Sequence, residues 1–429
     1  MNAWKCAPAD FGWAAPKRPG RRLTVDFQRL AQLRIIDLDW SLSQLIDCER
    51  PRGCRPPLTA TKIPDALAGE IYNSGPSYTI AIGTDRGGGS ELESASPESE
   101  SGMSSIDPRD VPLNNSAVIG LVSELSNWGR WGADDQRGTL NHIDDECRRR
   151  AATLVREGVV ISCAWPLGGH GFHSPGSGPQ RFMIRSGEGL FEEHSVPPIQ
   201  PELAGRARLA AEYIGLRFHG LEITHIDALS HVFWDGRAYN DVPAASVSTE
   251  SGATQLDVTH AGGIVTRGVL LDIAAQRGVE YLEPGTRVMP EDLEAAEERQ
   301  GIRVGKGDAV LLRTGHGRRC QSLGFVDSGQ ADARSGWHVS CLRWLHERDV
   351  ALIGNDGTND AVPFEFSEMP LPVHTIGIVA MGLWLIDNCN LEDLAEICDR
   401  MNRYEFLFTL APLLLVGATG SPANPLATF

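Results

Sequence analysis

Three short runs of Val, Leu and Ile, "GVLLDIAA" (268–275), "DAVLLRTGHG" (308–317) and "DVALIGND" (349–356), each end in a polar or glycine-rich turn. Between them lie stretches with helical spacing and an acidic or Ser start, "MPEDLEAAEERQG" (289–301) and "SCLRWLHERD" (340–349). Apolar runs this short read as strands, and strands alternating with helices imply an α/β fold on a mixed sheet with helices packed around it. The same character extends N-terminally. "TLNHIDDECRRRAATLVREG" (139–158) has apolar residues at helical spacing and Gly158 as its stop, and "VVISCAWPL" (159–167) follows as a strand. No internal repeat is visible.

The domain expected on this pattern spans 116–429. Residues 84–115 are a linker: the core of that stretch, "TDRGGGSELESASPESESGMSS", is rich in Gly, Ser and Glu and cannot bury enough surface to order itself. Residues 1–83 mix short apolar patches with Pro/Arg-rich pieces, and one amphipathic helix is expected around 24–46. They form an N-terminal extension of uncertain order, either regulatory or an over-long reading frame with Met103 as the true start.

Composition removes several function classes. A net charge of −17 argues against nucleic acid, whose phosphates need a basic patch. No run approaches the roughly 18 apolar residues of a membrane span. The first residues lack the apolar stretch of a secretory signal. Nine cysteines without CxxC or Cys/His clustering look like reduced thiols, so the cytoplasm is the expected compartment.

The chemistry concentrates in "THIDALSH" (224–231), after the strand-like "YIGLRFHGLEI" (213–223). On a strand His225 and Asp227 share one face, roughly 6–7 Å apart. An imidazole beside a carboxylate is half of a zinc, manganese or iron site, or else a hydrogen-bonded pair supporting a core. Partners must come from elsewhere. His142, His338 and His346 lie in helical patterns beside charges and are expected to face solvent. His170, His173 and His194 fall in a Gly/Pro-rich segment, 168–200, that could cap a site; His316 sits in a glycine turn and His260 is ambiguous. His374 is different. "PLPVHTIGIVAMGLWLIDNCNLEDLA" (370–395) puts it at the head of an apolar helix that breaks near Gly382, after which "LWLID" delivers Asp387. Buried, unpaired charge is expensive, and a shared cation would satisfy both half-sites.

"THIDALSH", "VFWDGRAYN", "LRTG", "WLHERDVALIGND" and "GATGSPANPLATF" together resemble the cyclase family that includes bacterial kynurenine formamidases (arylformamidases) and isatin hydrolase. The likeness runs from "SNWGRWGADDQRGTLN" (126–141) to the C-terminus. It implies metal ligands at His225, Asp227, His374 and Asp387, with His231 as the acid–base histidine. It also implies hydrolysis of an amide, arylformamide or cyclic amide, a small-molecule substrate, and association into dimers or larger oligomers. Phe233 and Trp234 would wall a flat substrate. Two positions depart from the family. Leu221 stands where a leading His ligand is expected, and the distal acid is Asp rather than Glu. His219 shares the face, but six residues along a strand is roughly 20 Å, out of reach unless the chain bends. One divalent ion, zinc or manganese, is therefore expected rather than two. Leu221 also leaves open a homologue that binds a metal or ligand without catalysis, and a true polyketide-type cyclase or dehydratase would use the same ion.

Overall fold

In the computed structural model, residues 113–168, 178–187, 209–323 and 333–429 are described. The expectations for 1–83 and for 84–112 fall outside them, as do His170, His173 and His194.

The alternating strands and helices form one α/β unit on a nine-stranded mixed sheet. In chain order its strands are β1 (Val160–Ser162), β2 (His225–Asp227), β3 (Ile264–Asp272), β4 (Ala309–Arg313), β5 (Leu352–Asn355), β6 (Trp384–Asp387), β7 (Glu405–Leu410), β8 (Gly420–Pro422) and β9 (Leu426–Thr428). Their spatial order is β1-β9-β7-β3-β4-β5-β6-β2-β8. Strands β3 to β6 run parallel, and every residue of β4, β5 and β6 is buried. Their Val/Leu/Ile runs are uninterrupted because both faces are covered. The helices Pro290–Gln300 and Cys341–Glu347 stand where the sequence placed them. The helix expected over 139–158 is shorter, Asp145–Ala152, capped by the Asp144 side chain.

The strand expected over "YIGLRFHGLEI" is mostly absent. Ala211–Gly215 pairs with Gln180–Arg185 in a separate, exposed two-stranded ribbon, and the chain then bends through 219–223. Gly220 permits the bend, with φ at +145°.

The segment that carries His374 is anchored by close backbone contact. Pro372–His374 opens a helix that continues as a fully buried π-helical stretch, Thr375–Met381, and stops at Gly382 with φ +68°. The Gly382 carbonyl accepts the Thr139 N–H (2.9 Å) and hydroxyl (3.0 Å), and the Ala380 carbonyl accepts the Asn127 N–H at 2.9 Å. Gly138 lies directly against this backbone, where a Cβ would overlap the Gly382 carbonyl oxygen. A Cβ on Gly382 would stand 2.5 Å from Tyr239 Cε2. Gly138→Ala and Gly382→Ala should each cost about 2–4 kcal/mol in urea unfolding, left-handed strain plus overpacking. Gly301→Ala, left-handed (φ +64°, ψ +31°) but facing open space, should cost only the strain, about 1 kcal/mol. Equal losses at all three positions would contradict the close packing.

Candidate metal centre

Register brings the two half-sites together. Strand β2 lies antiparallel between β6 and β8, and His225 pairs directly with Asp387. Directly opposed residues on neighbouring strands sit within side-chain contact, so one ligand from each half-site is placed by the ladder itself. Thr224 ties the start of β2 to the end of β6, its hydroxyl donating to the Asn388 carbonyl at 2.6 Å and accepting the Trp165 N–H at 3.1 Å.

Asp227 lies at the centre and is 1% exposed. Its carboxylate faces His219 Nδ1 at 3.0 Å, His225 Nε2 at 3.5 Å, His374 Nε2 at 3.5 Å and His231 Nε2 at 3.9 Å. Neither Asp227 oxygen receives a well-directed hydrogen bond. Asp387 Oδ2 closes the far side, 3.3 Å from His374 Nε2. The pairs His225/Asp227 and His374/Asp387, distant from each other in sequence, are thus brought together, with His231 at the edge.

Each inward-facing atom is fixed by a bond on the other side of its side chain. His225 Nδ1–H donates to the Ile223 carbonyl at 2.7 Å, which turns Nε2 inward. His374 Nδ1–H donates to Asp360 Oδ2 at 2.5 Å, with the same result. Asn359 donates to Asp387 Oδ1 from its backbone N–H (2.9 Å) and its amide (2.5 Å), leaving Oδ2 for the centre. Asn359 and Asp360 were missed in the sequence. The only signal was the polar turn closing "DVALIGND" and running on through "GTND" (357–360), since a carboxylate or amide behind each metal ligand is the common arrangement.

His219 changes the reading of the first half-site. The bend at Gly220 carries it back over β2, with Nδ1 on Asp227 and Nε2 3.1 Å from the Thr419 hydroxyl. Its ring lies flat on His231, with centroids 3.8 Å apart and planes within 2°. A histidine therefore supplies the donor that Leu221 cannot. The ground for expecting one ion rather than two disappears with it. Phe233 and Trp234 are half-buried and pack on the core beside the Trp234–Arg237 turn. His142 and His338 do not face solvent. His142, 4% exposed, stands edge-on to Trp131 at 5.1 Å and 3.5 Å from Asp349, while His338, 9% exposed, bonds Ser340 at 2.7 Å. His346 is half-buried on Asn127, His260 contacts Asp257, and His316 opens a helix with Nε2 3.4 Å from Cys320 Sγ.

Burial alone would push the Asp227 carboxyl up, but the imidazoles around it, His231 first, hold it well below the ordinary carboxylate range. Burial would likewise push His374 down, yet Asp387, Asp227 and Asp360 hold it well above the ordinary value. Burial lowers His231 to about 4, only partly opposed by Asp227, so it is neutral at neutral pH. The facing buried carboxylates Asp227 and Asp387 need positive charge between them, which the His374 imidazolium supplies in part and a bound cation would supply in its place. The donor set fits a divalent cation of the zinc, manganese or iron type. Among the described residues the ligand atoms form two groups of three, His219–His225–Asp227 and Asp227–His374–Asp387, each within 4.8 Å of one another. Asp227 belongs to both.

The sequence profile of the family described as Putative cyclase matches residues 196–359. A solved structure described as a novel cyclase is 32% identical, with a TM-score of 0.63, and the match covers 71% of this chain and 100% of that one. Isatin hydrolase A from Labrenzia aggregata, bound to benzyl benzoate, is 19% identical over 65% of this chain and 94% of its own, with a TM-score of 0.41. Isatin hydrolase A from Ralstonia solanacearum is 22% identical over 65% and 93%, with a TM-score of 0.44. No curated protein matches the chain.

The shared carboxylate makes the ligand groups separable by mutation. Elemental analysis of protein loaded with Mn²⁺ or Zn²⁺ should find two ions per chain, and none in Asp227→Ala. His219→Ala and His374→Ala should each retain one. Loading each site at about 100 times its dissociation constant should stabilise the wild type by about 2.7 kcal/mol for each site, reversed by a chelator. A His219→Ala protein with the full wild-type count would remove His219 from the ligand set.

Proposed function

The chain belongs to the cyclase family, and from that footing we propose that it is a metal-dependent hydrolase that opens the C–N bond of an amide, arylformamide or cyclic amide with water. The observation that carries this reading is the buried Asp227 carboxylate, bare of directed hydrogen bonds and faced by imidazole nitrogens, with a neutral, partly exposed histidine at its edge. His219, His225, Asp227, His374 and Asp387 would hold the metal, as two groups sharing Asp227. When bound there, a divalent ion lowers the pKa of water to about 7 and polarises a carbonyl oxygen.

His231 does the proton work. Its side chain is 29% exposed, so it meets both the centre and an incoming substrate. Being neutral, its ring accepts the proton as water oxygen bonds to the carbonyl carbon. It then gives that proton to the leaving nitrogen as the C–N bond breaks, and ends unchanged. The flat stack on His219 fixes the ring plane and prevents His231 from turning away. Phe233 and Trp234, directly after it, offer an aromatic surface for a flat substrate. With His219 supplying a donor, the case for a homologue that has lost catalysis loses its motive.

Metal-loaded protein should hydrolyse N-formylkynurenine, isatin or a related aryl amide, and His231→Ala should lower kcat about 10²–10⁴-fold with metal content unchanged. Fully loaded protein that cleaves nothing across a panel of formamides and cyclic amides would sink the hydrolase reading. The chain is also proposed to associate with itself. Leu413, Leu414, Leu415 and Val416 form a run on the surface, with Leu414 74% and Val416 88% exposed, and contiguous exposed apolar groups mark contact surfaces. Sedimentation at micromolar concentration should show at least a dimer; a purely monomeric profile counts against it. Among the described residues no helix is long and apolar enough to cross a membrane.

A further inference from the structure

We propose that Asp360 is a positioning residue for this centre, presetting His374 and making the His374–Asp387 group the tighter of the two ion-binding groups. The inference rests on the metal-binding part of the reading above and on no substrate. Asp360 is 2% exposed, in the turn after β5. Its Oδ1 accepts the Val373 N–H at 2.8 Å, while Oδ2 accepts the His374 backbone N–H at 3.0 Å and the ring Nδ1–H at 2.5 Å. Two backbone bonds fix the carboxylate to the start of the helix, and the third fixes the ring to the carboxylate. In the neutral form that would ligate an ion, a ring held this way has one proton position and one plane, with Nε2 aimed at Asp227 and Asp387. Turning it over would break a charge-assisted hydrogen bond in a buried site.

The other inward-facing histidines have weaker supports. His225 leans on a backbone carbonyl and His219 on a hydroxyl, both neutral. A carboxylate behind a ligating imidazole makes the ring a stronger donor and adds negative charge close to the ion. The His374 group therefore has two carboxylates facing its ion and a third behind it. The His219 group has Asp227 alone. Asp360 thus sets the order of filling: the His374 group first, the His219 group second.

Asp360→Asn preserves shape but has one oxygen: at the Oδ2 position, where two N–H groups converge, that oxygen accepts them as a neutral group, while the amide nitrogen opposes the Val373 N–H at the Oδ1 position. The ring loses the charge behind it and the helix start loses one backbone bond, so Nε2 is a weaker and less firmly aimed donor. Mn²⁺ titrated into metal-stripped protein by equilibrium dialysis should bind the wild type in two steps. In Asp360→Asn the tighter step should weaken about 10–100-fold, with the weaker step unchanged. An unchanged looser step is the readout that a merely structural loss, which would loosen both groups, would not leave. Asp360→Asn binding as the wild type does would overturn this inference alone, and so would weakening of the looser step instead. A wild type that takes up no Mn²⁺ would overturn the metal reading and this inference with it. If the variant does not fold, the wild type decides by nuclear magnetic resonance. Zn²⁺-loaded protein should show a far-downfield, slowly exchanging Nδ1 proton on His374, and a His374 protonated on Nε2 would refute the proposal.

Discussion

The Asp227 carboxylate is the group on which the rest of the centre depends. It is buried on a three-residue strand, receives no well-directed hydrogen bond, and is ringed by imidazoles from three parts of the chain. An uncompensated buried charge would cost several kcal/mol, so the surrounding structure has to supply positive charge at that point. With Asp387, Asp227 holds His374 well above its usual pKa, and the nitrogens of His225 and His374 that face it are each backed by a bond on the other side of the ring. The surrounding apolar strands exclude water, which strengthens every interaction in the cluster.

The fold makes this charge cluster affordable. Strands β4 to β6 run parallel at the centre of the sheet, so the turns after β5 and β6 emerge at the same edge. The β5 turn contributes Asn359 and Asp360, and the end of β6 contributes Asp387. Because β2 enters antiparallel beside β6, His225 meets that same edge. Polar ligands thus sit at strand ends, where the sheet's apolar faces give way to turns. This placement follows the general rule that open α/β sheets bind ligands beyond the carboxyl ends of their strands.

The π-helical stretch Thr375–Met381 has a related function. It is buried throughout and has no polar face, so its position comes from backbone contacts at Ala380 and Gly382 and from packing. Gly138 and Gly382 allow two backbones to touch where any side chain would separate them. Asp360 at the head and Gly382 at the tail therefore fix both ends of the segment that presents His374.

Much of this was legible in the sequence. The alternating Val/Leu/Ile runs and helical stretches led to the α/β sheet because strand and helix periods are local properties. "THIDALSH" marked the first half-site, since the strand period alone puts His225 and Asp227 on one face. The Pro-stiffened start and glycine stop of the apolar helix marked His374 and Asp387 as buried groups needing partners. The structure decided what local pattern cannot encode. Pairing of His225 with Asp387 is a matter of register between strands about 160 residues apart, set by the packing of the whole sheet. The place of His219 depended on a bend that a strand-like stretch of Tyr, Ile and Leu concealed, where Gly220 was the only hint. Asn359 and Asp360 looked like ordinary turn residues, because their function exists only once Asp387 and His374 stand beside them. The sequence determined which groups must be buried and charged; only the tertiary structure, by closing distances along the chain into a few ångströms of space, decided which of them face one another.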